Sequence, residues 1–322
     1  DGKVSDYTAA AYVQDEYSPT EAINITAGLR LTGNKEFGLR LTPKISAMLS
    51  LGDFRLRGTW SRGFKTPTPK ELYYHYVRYM SGTYLYLGNT SLKPQASDYF
   101  SIGGEYTAGR VTVTVTGYHN RVDDMINLVT IPSVEAPSDL LLQYRPVKVR
   151  QYRNLESAKT YGTDISVRYA GRHITAGAGY SYLDTGARIY DEEKETLADV
   201  TIDGMAHHKA NIFAMWSQAF GDAYRLTVGV SGRMSSKRYY QINGNGKGYQ
   251  IWRINTGHDI VLSGKTTCRV EAGVDNIFNY VDRTPHGLHL GTNTPGTTVY
   301  ASLTLRFNNG KKLRNSYNKI GT

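Results

Sequence analysis

The stretch GTTVYASLTLRF, residues 296–307, alternates along its length: Val299, Ala301, Leu303, Leu305 and Phe307 fall on one side, Tyr300, Ser302, Thr304 and Arg306 on the other. A strand written this way has one apolar face and one wet face. In a soluble sandwich the apolar face packs inward, whereas in an outer-membrane barrel it meets lipid and the wet face lines the lumen. The fold turns on which way these faces point.

Twelve more segments of the same kind lie upstream, at 6–17, 22–32, 39–51, 53–64, 95–106, 110–122, 158–170, 172–184, 206–218, 223–236, 249–262 and 265–277. Most run about 11 to 14 residues, longer than the ~5–6 typical of globular strands and enough for a tilted bilayer crossing of ~9–11. Short connections such as SLGD (50–53), TAGR (107–110) and FGDA (220–223) alternate with long ones at 65–94, 123–157, 185–205, 237–248 and 278–295. Tight turns on one side and long loops on the other is the pattern of a transmembrane up-and-down barrel, so the apolar face is expected outward.

Composition agrees. Twenty-six tyrosines accompany an apolar fraction of only 40%; tyrosine suits a headgroup-level belt or a wet lumen better than a dry core. No apolar run approaches the ~18 residues of a spanning helix, and Cys268, the single cysteine, can form no internal disulfide. The net charge of +10 is dispersed, without basic helix, zinc spacing or aromatic RNA-binding strand, so nucleic acid is not expected as a partner. Thirteen strands leave the first and last running the same way, which an antiparallel barrel cannot close. Residues 1–307 therefore read as part of an all-β, antiparallel barrel, and 308–322, with Lys311, Lys312, Arg314 and Lys319, as a polar tail.

Four stretches, in order, carry a family likeness. AAAYVQDEYSPTEAINITAGLR (9–30), SRGFKTPTPKELYY (61–74), GNTSLKPQASDYF (88–100), and GVDNIFNYVD (273–282) with YASLTLRF (300–307) resemble the C-terminal half of TonB-dependent outer-membrane receptors. Lys65 and Thr66 stand where the family's "GFRAP" box has Arg and Ala, and Thr90 where its "NPDLKPE" box has Pro. The resemblance implies a bacterial outer-membrane location and a 22-stranded barrel of which these are strands 10 to 22. Its implied partners are outer-membrane lipid, a plug and N-terminal strands of the same receptor, a TonB complex acting through that plug, and a surface lipoprotein. The implied function is uptake of a scarce nutrient: haem or another iron complex, with cobalamin or a siderophore as alternatives. A passive porin or a soluble β-sheet binding module are the rivals outside the family.

The 65–94 loop sets Tyr73, Tyr74, Tyr76, Tyr79, Tyr84 and Tyr86 around His75. Aromatic rings beside an imidazole can stack on a flat conjugated ligand and offer it a metal ligand. In the haem-receptor branch an iron-coordinating histidine lies between the two boxes, and His75 occupies that interval. The plainer reading has these side chains fixing the loop to the barrel rim. His286 and His289 in PHGLHLG (285–291) are a second ligand-binding candidate, without the third or fourth ligand zinc normally takes. His207 and His208, and likewise His258 and Asp259, are adjacent on strands and diverge. An enzyme is not expected, since no G-x-S-x-G elbow or H-E-x-x-H pair occurs and Asp191, Glu192 and Glu193 read as a solvated run. GNGKG (244–248) lacks the spacing of a phosphate-binding loop. No catalytic cofactor is implied, and haem enters only as cargo.

Overall fold

The computed structural model describes residues 5–79, 82–191, 196–201, 204–239, 246–263, 266–282 and 294–307. Thirteen strands form one antiparallel path: β1 (Thr8–Thr20), β2 (Ile23–Asn34), β3 (Gly38–Leu51), β4 (Phe54–Lys65), β7 (Gln95–Ala108), β8 (Val111–Ile131), β9 (Lys148–Ala170), β10 (Ile174–Asp191), β12 (His208–Phe220), β13 (Tyr224–Ser235), β14 (Tyr249–Ser263), β15 (Thr266–Asp275) and β16 (Thr298–Phe307). Each corresponds to one of the alternating segments. Three further strands, β5 (Tyr76–Tyr79), β6 (Thr83–Leu87) and β11 (Thr196–Val200), lie off this path in the long connections, as do two short helices, α1 (Pro69–Tyr73) and α2 (Ser138–Tyr144).

Register shows which side chains share a face. Val299 pairs with Val274, Val274 with Ile254, Ile254 with Val230, and Val230 with Ala214, so the apolar positions form continuous rows from strand to strand. These rows are not covered: Val299 is 75% exposed, Leu303 67% and Phe307 71%. The buried apolar residues lie mostly at the long-loop end, around Leu72, Leu85, Leu92, Ile131 and Val149. A soluble sandwich would show the reverse, so the apolar face is the outer, lipid-facing wall and the opposite face lines the lumen. An aromatic set at the short-turn end, including Phe54, Tyr106, Phe220 and Phe307, is exposed on that wall and has the character of an interfacial girdle. In the turns, Gly52 (φ 59°) and Gly109 (φ 56°) adopt the left-handed backbone that tight reversal demands.

The sheet is a partial barrel. Its path ends at β1 and β16, which both run toward the short-turn side, and β1 is exposed along its whole length. The long connections differ from the expected loops. β8, β9 and β10 run 21, 23 and 18 residues, well beyond a bilayer crossing, and carry the ladder upward as a wall above the membrane. Backbone groups there reach water or one another without needing lipid-facing apolar residues, so the spanning pattern fades while pairing continues.

Candidate ligand-binding face

The 65–94 connection is an ordered strap. Thr68 caps α1 through a capping box: its hydroxyl accepts from Glu71 N, and the Glu71 carboxylate accepts from Thr68 N (2.7 Å) and from Lys65 Nζ (2.7 Å). Burial pushes the Glu71 carboxyl up, but the bonds from Lys65 and Thr68 together outweigh it and hold it below the ordinary value. Gly88 N donates to Tyr74 O (2.8 Å), and a Cβ at Gly88 would lie 2.7 Å from the Leu72 carbonyl oxygen, so only glycine permits this crossing. Asn154 on β9 grips Lys93 through both backbone groups (2.8 and 3.0 Å) and also reaches Asp124 O (2.6 Å).

Beyond α1 the strap forms the β5–β6 hairpin, and β6 pairs in parallel with the upper end of β9. Alternation then sorts the side chains. Leu85, Leu87 and Val149 enter a core with Ile131 and Ala136 that Val77, Leu140 and Leu141 cover. On the opposite face Tyr76 is registered with Tyr86, Tyr86 with Arg150, and Tyr84 with Lys148. Tyr76 and Tyr86 stack at 4.7 Å with 3° between ring planes. Lys70 Nζ lies 4.8 Å from the Tyr76 ring centre and Arg78 Cζ 5.8 Å from that of Tyr86. Arg150 Nη2 donates to Leu128 O (3.0 Å), while its buried Nε has no hydrogen-bond partner among the described residues. Burial, and after it Tyr76 and then Glu71, push the Tyr152 phenol up. Aromatic rings and four cations thus share one face, and the nearby Glu71 is neutralised by Lys65.

The sequence candidates distribute unevenly over this structure. Tyr76, Tyr84 and Tyr86 come together, with Tyr86 only 7% exposed. Tyr73 lies elsewhere, donating from its hydroxyl to Glu36 Oε1 (2.6 Å), a bond that raises its phenol. Tyr74 and Tyr79 are exposed, as is His75, whose ring has no hydrogen bond among the described residues. His286 and His289 lie outside the described residues, as does the 308–322 tail. His207 and His208 both contact the Tyr182 ring, at 6.4 and 5.4 Å between centres. Lys70, Arg78, Lys148, Arg150 and Tyr152 were not read from the sequence as site residues; the alternation of Lys148, Arg150 and Tyr152 was the available signal.

Residues 1–277 match the family described as "TonB dependent receptor-like, beta-barrel". The chain belongs to this TonB-dependent receptor family. It is similar to the iron-regulated outer membrane virulence protein of Vibrio cholerae, 26% identical over 170 residues, which are 51% of this chain and 25% of that one. It is also 23% identical over 323 residues to the ferric enterobactin receptor PirA of Pseudomonas aeruginosa, covering 92% of this chain and 41% of PirA. The chain thus spans less than half the length of these relatives. Among solved structures it superposes on the ferric enterobactin receptor PfeA of P. aeruginosa with TM-score 0.69 (18% identity, 94% of this chain, 45% of PfeA). It superposes on the siderophore receptor PirA of Acinetobacter baumannii with TM-score 0.67 (19% identity, 94% of this chain, 46% of that one). Likeness at that identity shows a shared fold, and the family places the chain in the bacterial outer membrane as barrel wall.

Proposed function

We propose that this barrel wall belongs to a receptor that captures an anionic, aromatic iron chelate of the siderophore class at the cell surface. The observation that carries this is the stacked Tyr76–Tyr86 pair with Lys70 and Arg78 over its rings and Arg150 and Lys148 in register beside it. Cations beside rings suit a ligand that combines negative charge with flat catechol-type groups, through charge attraction and ring contact together. The P. aeruginosa relative is a ferric enterobactin receptor, which supports this reading, and the V. cholerae relative is iron-regulated. In this reading the outer wall meets membrane lipid, and a plug in the full-length receptor, worked by a TonB complex, drives release inward.

The test is ligand binding to the full-length receptor in detergent, read by quenching of protein fluorescence. A ferric tris-catecholate should bind more tightly than haem or an uncharged ferric trihydroxamate. Arg78→Ser with Arg150→Ser should weaken it at least tenfold, from roughly 1.5–3 kcal/mol for one charged hydrogen bond lost. Equal binding of the catecholate to wild type and variant refutes this reading. A second reading, haem ligated by His75, is favoured by that exposed and unbonded imidazole; His75→Ala should then abolish the haem Soret shift on binding.

A further inference from the structure

Three of the long connections are tied together at one residue. Arg238, in the 237–248 connection, forms backbone bridges with Ala206 on one side and Gly246 on the other. Arg238 N donates to Gly246 O (2.9 Å) and Gly246 N to Arg238 O (2.8 Å), while Tyr239 N donates to Met205 O (3.0 Å) and Gly204 N to Tyr239 O (2.7 Å). The Arg238 guanidinium then crosses to the 278–295 connection, where Nη1 lies 2.6 Å from Asp282 Oδ2. The Arg238 and Asp282 side chains are only 13% and 8% exposed, whereas those of the wall pairs Arg55–Glu105 and Arg253–Asp275 are all at least 31% exposed. An exposed pair contributes little, but a buried guanidinium that loses its carboxylate is left charged and without water. Parting the connections here therefore carries a large penalty.

Packing around the pair ties the third connection in further. Arg238 Cζ lies 5.3 Å from the Tyr249 ring centre, and Tyr249 stacks on Tyr280 at 5.1 Å with 16° between planes. Burial, and after it the Asp282 charge, push the Tyr280 phenol up, keeping it a neutral donor to that carboxylate. Asn276, buried and at φ 54°, donates to Tyr280 O (2.6 Å) and Pro295 O (2.9 Å) and accepts from Tyr280 N (2.8 Å). Both ends of the 278–295 connection thus meet at one side-chain amide. Asn276 and Pro295 also form one side of a cavity of about 580 Å³ on the lumen-facing wall, with Asn211, Phe213, Arg233 and Arg253.

We propose that Arg238 is a latch that joins these three connections into a single conformational unit, which opens and closes as a whole. The ion pair and the four backbone bonds converge on two adjacent residues, so a break at Asp282 reaches Met205 and Gly246 through Arg238 and Tyr239. The moving part includes one side of the inner-wall cavity.

The test is amide hydrogen exchange of the full-length receptor in detergent, read by mass spectrometry on peptides covering 204–208, 236–239, 246–249 and 276–282. At a pH high enough for opening to limit exchange, these peptides should show one common opening rate in wild type. At neutral pH, where exchange follows the open population, Asp282→Ala should speed it about 100-fold or more in all four, since it strands the buried guanidinium. Separate opening rates in wild type overturn the proposal whether or not the variant folds. Acceleration confined to the 276–282 peptide of a folded Asp282→Ala receptor, or no acceleration in it, also overturns it.

Discussion

Replacing Ile165 by Arg tests the inverted polarity of this sheet at its most demanding point. Ile165 sits on the outer wall of β9 between Val115 and Tyr180, and is 40% exposed. It is five residues from Ala170, the short-turn end of its strand, roughly 13 Å up a strand of ~3.3 Å rise and ~40° tilt, near the middle of a band ~25 Å tall. A guanidinium there should cost about 2–4 kcal/mol. Ser166, the next residue, faces the lumen between Thr114 and Gly179, so Ser166→Arg adds the same charge to a hydrated surface and should stay within about 0.5 kcal/mol of wild type. The assay is urea unfolding of the full-length receptor in lipid vesicles, with the folded fraction read from heat-modifiable electrophoretic migration. Equal midpoints for the two variants, or a larger loss from Ser166→Arg, would refute the assignment of faces.

Other outcomes follow from the strap. Gly88→Ala forces a Cβ to within 2.7–2.9 Å of the backbone of Leu72 and Tyr73, should destabilise the strap by about 1–3 kcal/mol, and should show as faster proteolysis between residues 65 and 94. Asn154→Ala removes the three bonds that hold Lys93 and Asp124, and amide exchange at Lys93 should accelerate by an amount equivalent to about 1–3 kcal/mol. Because the Glu71 carboxyl lies below its ordinary value, its contribution is complete above the unfolded-state pKa of about 4.3 and disappears as pH falls through the lower folded value. Amide protection in α1 should therefore drop at acid pH in wild type and lose that dependence in Glu71→Gln.

The spanning strands were legible because lipid imposes strict alternation: Val111, Val113 and Val115 against Thr112, Thr114 and Thr116 leave one choice of face. The upper reaches of β8 and β9 were not, because water relaxes that constraint and RPVKVRQYRN (145–154) reads as a polar loop. TYLYL (83–87) reads within the 65–94 stretch as part of a loop, although its two leucines against two tyrosines spell a short strand with one buried side. Arg78 and Arg150 could not have been paired from the sequence. Both flank Tyr86, Arg78 over its ring and Arg150 in register with it, only because a parallel ladder joins β6 to β9 from a distant segment, and neither segment alone records its partner.

That parallel ladder also sets an order of events. β6 joins β9 through four residue pairs, Tyr84 with Lys148 to Leu87 with Gln151, at a sequence separation of 64. Neighbouring wall strands zip through contacts close in sequence, whereas this contact must wait until both segments are in place, and the entropy of closing so long a loop is recovered by few bonds. The proposed ligand face should accordingly be the last region to assemble and the first to come apart when the chain is heated or pulled. A receptor that must hold its cargo and then surrender it would have its weakest seam at the ligand.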